Sequence, residues 1–411
     1  DGYRPGNFGM AFHGPVSAEQ ALRLSLNVPA VDLLDRVGPG RFAARLEHAG
    51  VRLRFPRGAR PGLPLILGGT GATLEDLVGA HAALVRGGRA GRVRLTADAP
   101  LLERRMMSAG AAWIVAEALA ANPRPGERVE TFDLRDRPRV AWKTGTSYGF
   151  RDAWALGATR RHTVGVWVGR PDGTPLPGQY GAITALPLLF EVIDSLPRAA
   201  GDGVPLPPPS GVERREVCWP LGTEARSQSD ALCQRRLQAW VLDGVVPPTF
   251  AERGARLWSA GRVSFQVDAR SGARLSAACT QGREVREVEI ARWPALLSPW
   301  LPLAQRSASR LPPLAPGCAD DGRQALDGLR IEGVQDGARL ARPPASTRGV
   351  RLSLRAPGAA GEVQWLLDGR WLARTEGGRP FVHEFKEPGE YALTALADSG
   401  AWDSVRFRVV R

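Results

Sequence analysis

The chain has 411 residues, 43% hydrophobic and 7% aromatic, which suits two or three folded domains and excludes a disordered chain. It contains no run of eighteen apolar residues, so no membrane-spanning helix is expected from it. The net charge is +13, but the arginines are spread along the whole length with no basic block interleaved with aromatics, which argues against nucleic acid as a partner.

The opening residues, Asp1-Gly2-Tyr3-Arg4-Pro5-Gly6, read as the middle of a loop without Met or leader, so the chain is expected to be a fragment. Ser17 and Gln20 form a capping-box pattern before an apolar run. Pro29 suits the first turn of the next helix, which carries Val31, Leu34 and Val37 and stops at Gly38-Pro39-Gly40. Thr73 and Asp76 start a helix with Leu74, Leu77, Val78, Leu84 and Val85 on one face, ended by Gly87-Gly88. Ser108 caps another, through Trp113, Ile114 and Leu119, closed by Pro123. The period then changes. Val140 to Ser147, Ala153 to Ala158 and Thr163 to Gly169 read as strands, and Ala185 to Leu196 returns to helix.

Residues 199–212, with Pro207-Pro208-Pro209, read as a linker. Residues 213–327 hold all four cysteines and few regular patterns, with a hairpin expected around Ser271-Gly272. None of Cys218, Cys233, Cys279 and Cys318 is in a CxxC pair, which argues against zinc; an even count in one region points to disulfides in an oxidising compartment. Three pairings are possible, and Cys218 with Cys233 and Cys279 with Cys318 is favoured because each closes a local loop. From residue 328 the pattern is all-β, with alternating Val363, Trp365 and Leu367 before an Asp368-Gly369 turn, and it suggests a small immunoglobulin-like sandwich over 328–411. Trp365 and Trp371 flank that turn, as core residues or as platforms for sugars.

The sharpest chemical signal is Lys143-Thr144-Gly145-Thr146-Ser147 on an expected strand. A site for a peptide ending in a carboxylate needs a cation and hydroxyl donors on one rigid edge. Lys143 gives a compact charge, Thr144 and Thr146 give hydroxyls two residues apart, and Gly145 lets a substrate backbone approach. Only two lysines occur in the chain, Lys143 and Lys386, so the placement of one of them here carries weight. A second element, Ser25-Leu26-Asn27, precedes Val28-Pro29-Ala30. The histidines, His13, His48, His81, His162 and His383, are far apart, and His81 on an apolar helix face reads as packed core and not as a metal ligand.

The two elements resemble the KTG and SxN motifs of the penicillin-binding proteins. The likeness continues in Tyr3 to Phe8, Gly14 to Ser17, Gly68 to Gly71, Phe150 to Trp154 and Val164 to Gly169, and Cys218-Trp219-Pro220-Leu221-Gly222 looks most like the 1C subgroup of the class A enzymes. The resemblance implies an α+β fold: a partial transpeptidase domain over 1–198, the linker, the Cys-containing region and the β domain. It implies that Ser25 relays protons, that Asn27 holds a substrate amide, that Lys143 serves the catalytic centre, and that Thr144, Gly145, Thr146 and Ser147 bind substrate.

The family's nucleophile lies in an SxxK motif, and none exists here: Val140 and His383 stand three residues before the two lysines. The nucleophile, the glycosyltransferase domain and the membrane anchor are therefore expected upstream of Asp1, and this chain is not expected to form an acyl-enzyme. Implied partners are stem peptides ending in D-Ala-D-Ala, β-lactams and other cell-wall synthesis proteins, with no cofactor or metal, at the periplasmic face of the inner membrane. Two rival classes share part of the pattern: a serine β-lactamase or D,D-carboxypeptidase, and a non-catalytic relative that binds cell wall or partners.

Overall fold

Ser17 Oγ accepts from Gln20 N–H at 3.1 Å while Gln20 Oε1 accepts from Ser17 N–H at 3.0 Å, and this reciprocal box starts α1 (Ala18–Arg23). The computed structural model describes residues 5–8, 12–125, 137–225, 230–246, 261–318, 329–341, 349–357, 359, 361–376, 378–398 and 400–410. They fall into two units. The first comprises the described residues of Asp1–Phe8, Val16–Glu213 and Trp240–Gly244, and the second those of Gly9–Pro15, Arg214–Ala239 and Val245–Arg411.

In the first unit α2 (Asn27–Val37) buries Val31 and Leu34. The Gly38-Pro39-Gly40 stop is also a start: Gly38, at φ 91°, turns the chain and Pro39 opens α3 (Pro39–His48), a helix the sequence reading did not contain. Thr73 Oγ1 accepts from Asp76 N–H to begin α4 (Leu74–His81), which tightens into a 3-10 turn over Ala82–Leu84. A short hairpin follows, β1 (Arg89–Gly91) with β2 (Glu103–Arg105), and then α5 (Ala109–Ala120), capped by Ser108.

Three strands carry the middle of the unit: β3 (Ala141–Thr146), β4 (Asp152–Ala158) and β5 (Thr163–Gly169). They pair antiparallel in that order, which among the described residues leaves β3 at an edge. Helix α6 (Gly181–Ser195) covers one face, packing Ala185, Leu186, Leu189, Phe190 and Ile193 against Val140, Ala153 and Ala155. Residues 199–212 are seated on this unit. Asp202 Oδ2 accepts from Ala199 N–H at 2.8 Å, Asp202 O accepts from Arg139 N–H at 3.1 Å, and Leu206 O accepts from Trp113 Nε1–H at 3.0 Å.

Strands β6 (Val212–Trp219), β7 (Thr223–Glu224) and β8 (Arg235–Leu242), most of whose residues belong to the second unit, lie in the order β7-β6-β8. Strands β9 (Gly261–Asp268), β10 (Arg274–Leu275) and β11 (Val285–Arg292) lie in the order β10-β9-β11, and the hairpin at Ser271-Gly272 joins β9 to β10. Helix α7 (Leu303–Ala308) follows. Disulfides join Cys218 to Cys233 and Cys279 to Cys318, closing sequence separations of 15 and 39 residues.

The last part of this unit is all strand: β12 (Arg339–Ala341), β13 (Val350–Leu354), β14 (Glu362–Leu367), β15 (Arg370–Glu376), β16 (Phe381–Phe385), β17 (Gly389–Ala397) and β18 (Trp402–Val410). A five-stranded sheet in the order β12-β18-β17-β14-β15 and a β13-β16 pair share one core built on Val363, Trp365, Phe385, Leu393 and Phe407. Asp368 and Gly369 both take positive φ, 52° and 74°, as a two-residue hairpin requires. Trp365 is fully buried and donates to Thr375 Oγ1, whereas Trp371 is exposed and donates to Gln364 Oε1.

Candidate active site

Side chains alternate along β3. Trp142, Thr144 and Thr146 face α6: Trp142 meets Phe190 edge to face at 6.1 Å, and Thr146 Oγ1 accepts from Gly181 N–H at 3.1 Å. That bond occupies the first amide of α6, whose capping residue Tyr180 offers no side-chain hydrogen bond. It explains why α6 begins at Gly181, four residues ahead of the sequence expectation. Only glycine fits there, since an added Cβ would lie 2.5 Å from Gly145 O and 2.6 Å from Trp154 O.

Lys143 takes the opposite side of the strand, and its ammonium donates to Ser25 Oγ and, at 2.8 Å, to Thr144 O. Ser25 and Lys143 are 118 residues apart in sequence. Burial lowers the Lys143 pKa to about 8, because the partly desolvated site disfavours the charged form. Ser25 is exposed and sits at φ 55°, a left-handed conformation that a non-glycine residue adopts only where its surroundings hold it. Those surroundings are backbone bonds: Ser25 N–H donates to Leu22 O and Leu26 N–H to Ala21 O.

Asn27 is the first residue of α2, and its Nδ2 donates to Gly6 O at 2.9 Å. Val28 N–H donates to Asn7 Oδ1 at 3.2 Å. Residues 6 and 7 thus brace the Ser25-Leu26-Asn27 turn. Ser147 closes the other end of β3: its Oγ accepts from Asp152 N–H at 2.9 Å and its N–H donates to Asp152 O at 3.0 Å. Asp152 in turn accepts from Trp167 Nε1–H at 2.8 Å.

The structure therefore brings Ser25 and Lys143 into direct contact. It puts Asn27 two residues from Ser25, and places Thr144 and Thr146 on the α6 face of the same strand. The sequence reading missed the braces at Gly6 and Asn7, the pairing of Thr146 with Gly181, and a bond from His81 Nε2 to Ala141 O at 2.9 Å. The likeness of Tyr3 to Phe8 to the family's lead-in segment was the available signal for the first of these.

Comparison with known proteins bears on what such a site belongs to. Three family profiles match: the penicillin-binding protein 1C linker domain at residues 211–241, the penicillin-binding protein 1C second linker domain at 256–309, and the penicillin-binding protein C-terminus family at 318–407. Penicillin-binding protein 1C of Escherichia coli K12 is 44% identical over 410 residues, 98% of this chain and 51% of that protein. The chain thus spans about half the length of this curated relative. Penicillin-binding protein 1B of Vibrio cholerae is 26% identical over 194 residues, 44% of this chain and 25% of that protein. The crystal structure of penicillin-binding protein 1A from Haemophilus influenzae matches at a TM-score of 0.46 and 17% identity, over 60% of this chain and 42% of that one, too loosely to fix a fold.

Proposed function

The chain is homologous to penicillin-binding protein 1C along 98% of its length, and on that premise we propose that it supplies part of a peptidoglycan D,D-transpeptidase site. The observation that carries this reading is the Lys143 ammonium on Ser25 Oγ, a cation and a hydroxyl joined across 118 residues beside an amide, Asn27. In the intact enzyme a serine outside these residues attacks the penultimate D-Ala carbonyl of a stem peptide. The C–N bond breaks, D-Ala leaves with a proton on its amine, and the acyl group passes to an amine of a neighbouring peptide.

Lys143 with its pKa near 8 is suited to hold the terminal carboxylate and to exchange a proton with Ser25. Asn27 Oδ1 accepts from the substrate amide. Thr146 N–H serves as an oxyanion donor, Gly145 and Ser147 shape the carboxylate end, and the Thr144 and Thr146 side chains, on the α6 face, hold the strand in place. The transpeptidase step calls on no metal or cofactor in this scheme. β-Lactams react with the same outside serine, and a glycosyltransferase domain belongs to the same polypeptide. The second unit, an immunoglobulin-like sandwich behind a disulfide-bonded region, serves binding to cell wall or to other synthesis proteins. The setting is the periplasmic face of the inner membrane, where the two disulfides persist.

The test is covalent labelling by a fluorescent penicillin of this chain and of one extended upstream through an SxxK motif, each native and heat-denatured. Label on the folded, extended chain alone is expected. Label on the 411-residue chain would mean that its own serine is the nucleophile. Label on neither would favour a non-catalytic binder.

A further inference from the structure

His81 is a single histidine at the end of α4, yet its bond reaches the first residue of β3. A backbone carbonyl can only accept, so the nitrogen facing Ala141 O at 2.9 Å carries the proton, and the neutral imidazole is the Nε2–H tautomer. Burial lowers the His81 pKa, so the ring stays uncharged near neutrality and adds no second cation beside β3.

The place of this bond matters because of what packs around it. Ala141 belongs to a small apolar cluster with Leu84 and Leu119, and Leu22 packs against the same cluster. Leu22 lies in α1, three residues before Ser25, and its carbonyl accepts from Ser25 N–H. Ala141 lies two residues before Lys143, on the same strand. One cluster thus seats the approach to both members of the Ser25–Lys143 pair. Apolar packing around Ala141 adds little directional hold, because alanine offers little shape to lock. The ladder to β4 sets the register of β3, and the hydrogen bond from His81 adds a directional anchor from α4 at the first residue of the strand.

We propose that His81 is a positioning residue for the transpeptidase site, holding the start of β3 through Ala141 O so that the Lys143 ammonium meets Ser25. The proposal rests on the transpeptidase reading of that pair. Substrate is not expected to touch His81.

With two lysines in the chain, ¹⁵N-lysine labelling gives a spectrum in which Lys143 and Lys386 are assigned by one substitution. In the wild-type chain Lys143 is expected to titrate at about 8. His81→Phe keeps an aromatic ring and removes the donor, and is expected to move the Lys143 midpoint up toward 10.5, the value of a solvated lysine. His81→Gln keeps an N–H at similar reach and is expected to hold it near the wild-type value. A folded His81→Phe chain with Lys143 unmoved would overturn the proposal. So would a folded His81→Gln chain that behaves like His81→Phe. Should His81→Phe not fold, the wild-type chain still decides: long-range ¹H–¹⁵N couplings must show His81 as the Nε2–H tautomer, and the Nδ1–H tautomer would overturn the assignment. A wild-type Lys143 signal that Ser25→Ala leaves unmoved would mean that the Ser25–Lys143 contact is absent and would sink the transpeptidase reading itself, which separates that failure from a failure of His81 alone.

Discussion

Strands β3 and β14 each place one decisive side chain, and they do so for opposite reasons. On the edge strand β3, Lys143 is a half-buried cation whose pKa is held at about 8 by its surroundings. On β14, which has neighbours on both sides, Trp365 is fully buried with its one polar atom satisfied by Thr375. The first arrangement costs folding free energy and yields a chemically useful group. The second contributes folding free energy and offers no group for chemistry. The two strands thus contribute to folding free energy with opposite sign.

The largest effect that sharpens this contrast is Trp365→Ala. Removal of a fully buried indole is expected to destabilise the second unit by about 3–5 kcal/mol in urea unfolding. The Lys143 resonance should stay where it is, and its displacement would break the contrast. Paired Cys→Ser changes come next. The Cys279–Cys318 loop of 39 residues is expected to contribute about 4 kcal/mol, and the Cys218–Cys233 loop of 15 residues about 3 kcal/mol, from restriction of the unfolded chain. Denaturant midpoints of the two double variants should fall in that order.

Lys143→Met is expected to act in the other direction and stabilise the chain at pH 7, by up to about 3 kcal/mol. The folded-state pKa of about 8 lies below the 10.5 of an unperturbed lysine. Below pH 8 both states carry the proton and the full desolvation cost applies. Between pH 8 and 10.5 the unfolded chain still holds a proton that the folded chain has lost, so wild-type stability rises through this window. The advantage of Lys143→Met should therefore shrink across it, as read from urea midpoints at several pH values. The smallest effect is Ser17→Ala. Loss of the α1 capping box is expected to cost about 1 kcal/mol and to loosen the approach to Ser25, seen as faster amide exchange at Leu24 to Asn27.

Much of the first unit was legible in sequence because its signals are local. Ser17, Thr73 and Ser108 announce helix starts through bonds that span three residues. Lys143-Thr144-Gly145 is legible for another reason: chemistry fixes residue identity there, and lysine is rare in this chain. Helix α3 was hidden because Gly38-Pro39 reads as an ending, although proline is also well suited to a first helical turn. The β1–β2 hairpin was hidden because its strands have three residues each and are rich in arginine, without apolar alternation. The sheets between residues 212 and 292 depend on contacts distant in sequence, such as Trp219 against Trp293 at 5.8 Å, and short periodicity cannot show those. The bond from His81 to Ala141 spans 60 residues and has no local pattern at all.

The most direct test of the central claim is a ligand titration of the ¹⁵N-lysine-labelled chain with an acylated dipeptide ending in D-Ala-D-Ala. If Lys143 holds the terminal carboxylate, its signal moves saturably, its titration midpoint rises above about 8 as the anion favours the ammonium, and Lys386 stays still. If the two lysines move alike, or neither moves at saturating peptide, the pair formed by Ser25 and Lys143 is not a carboxylate site and the transpeptidase reading is contradicted.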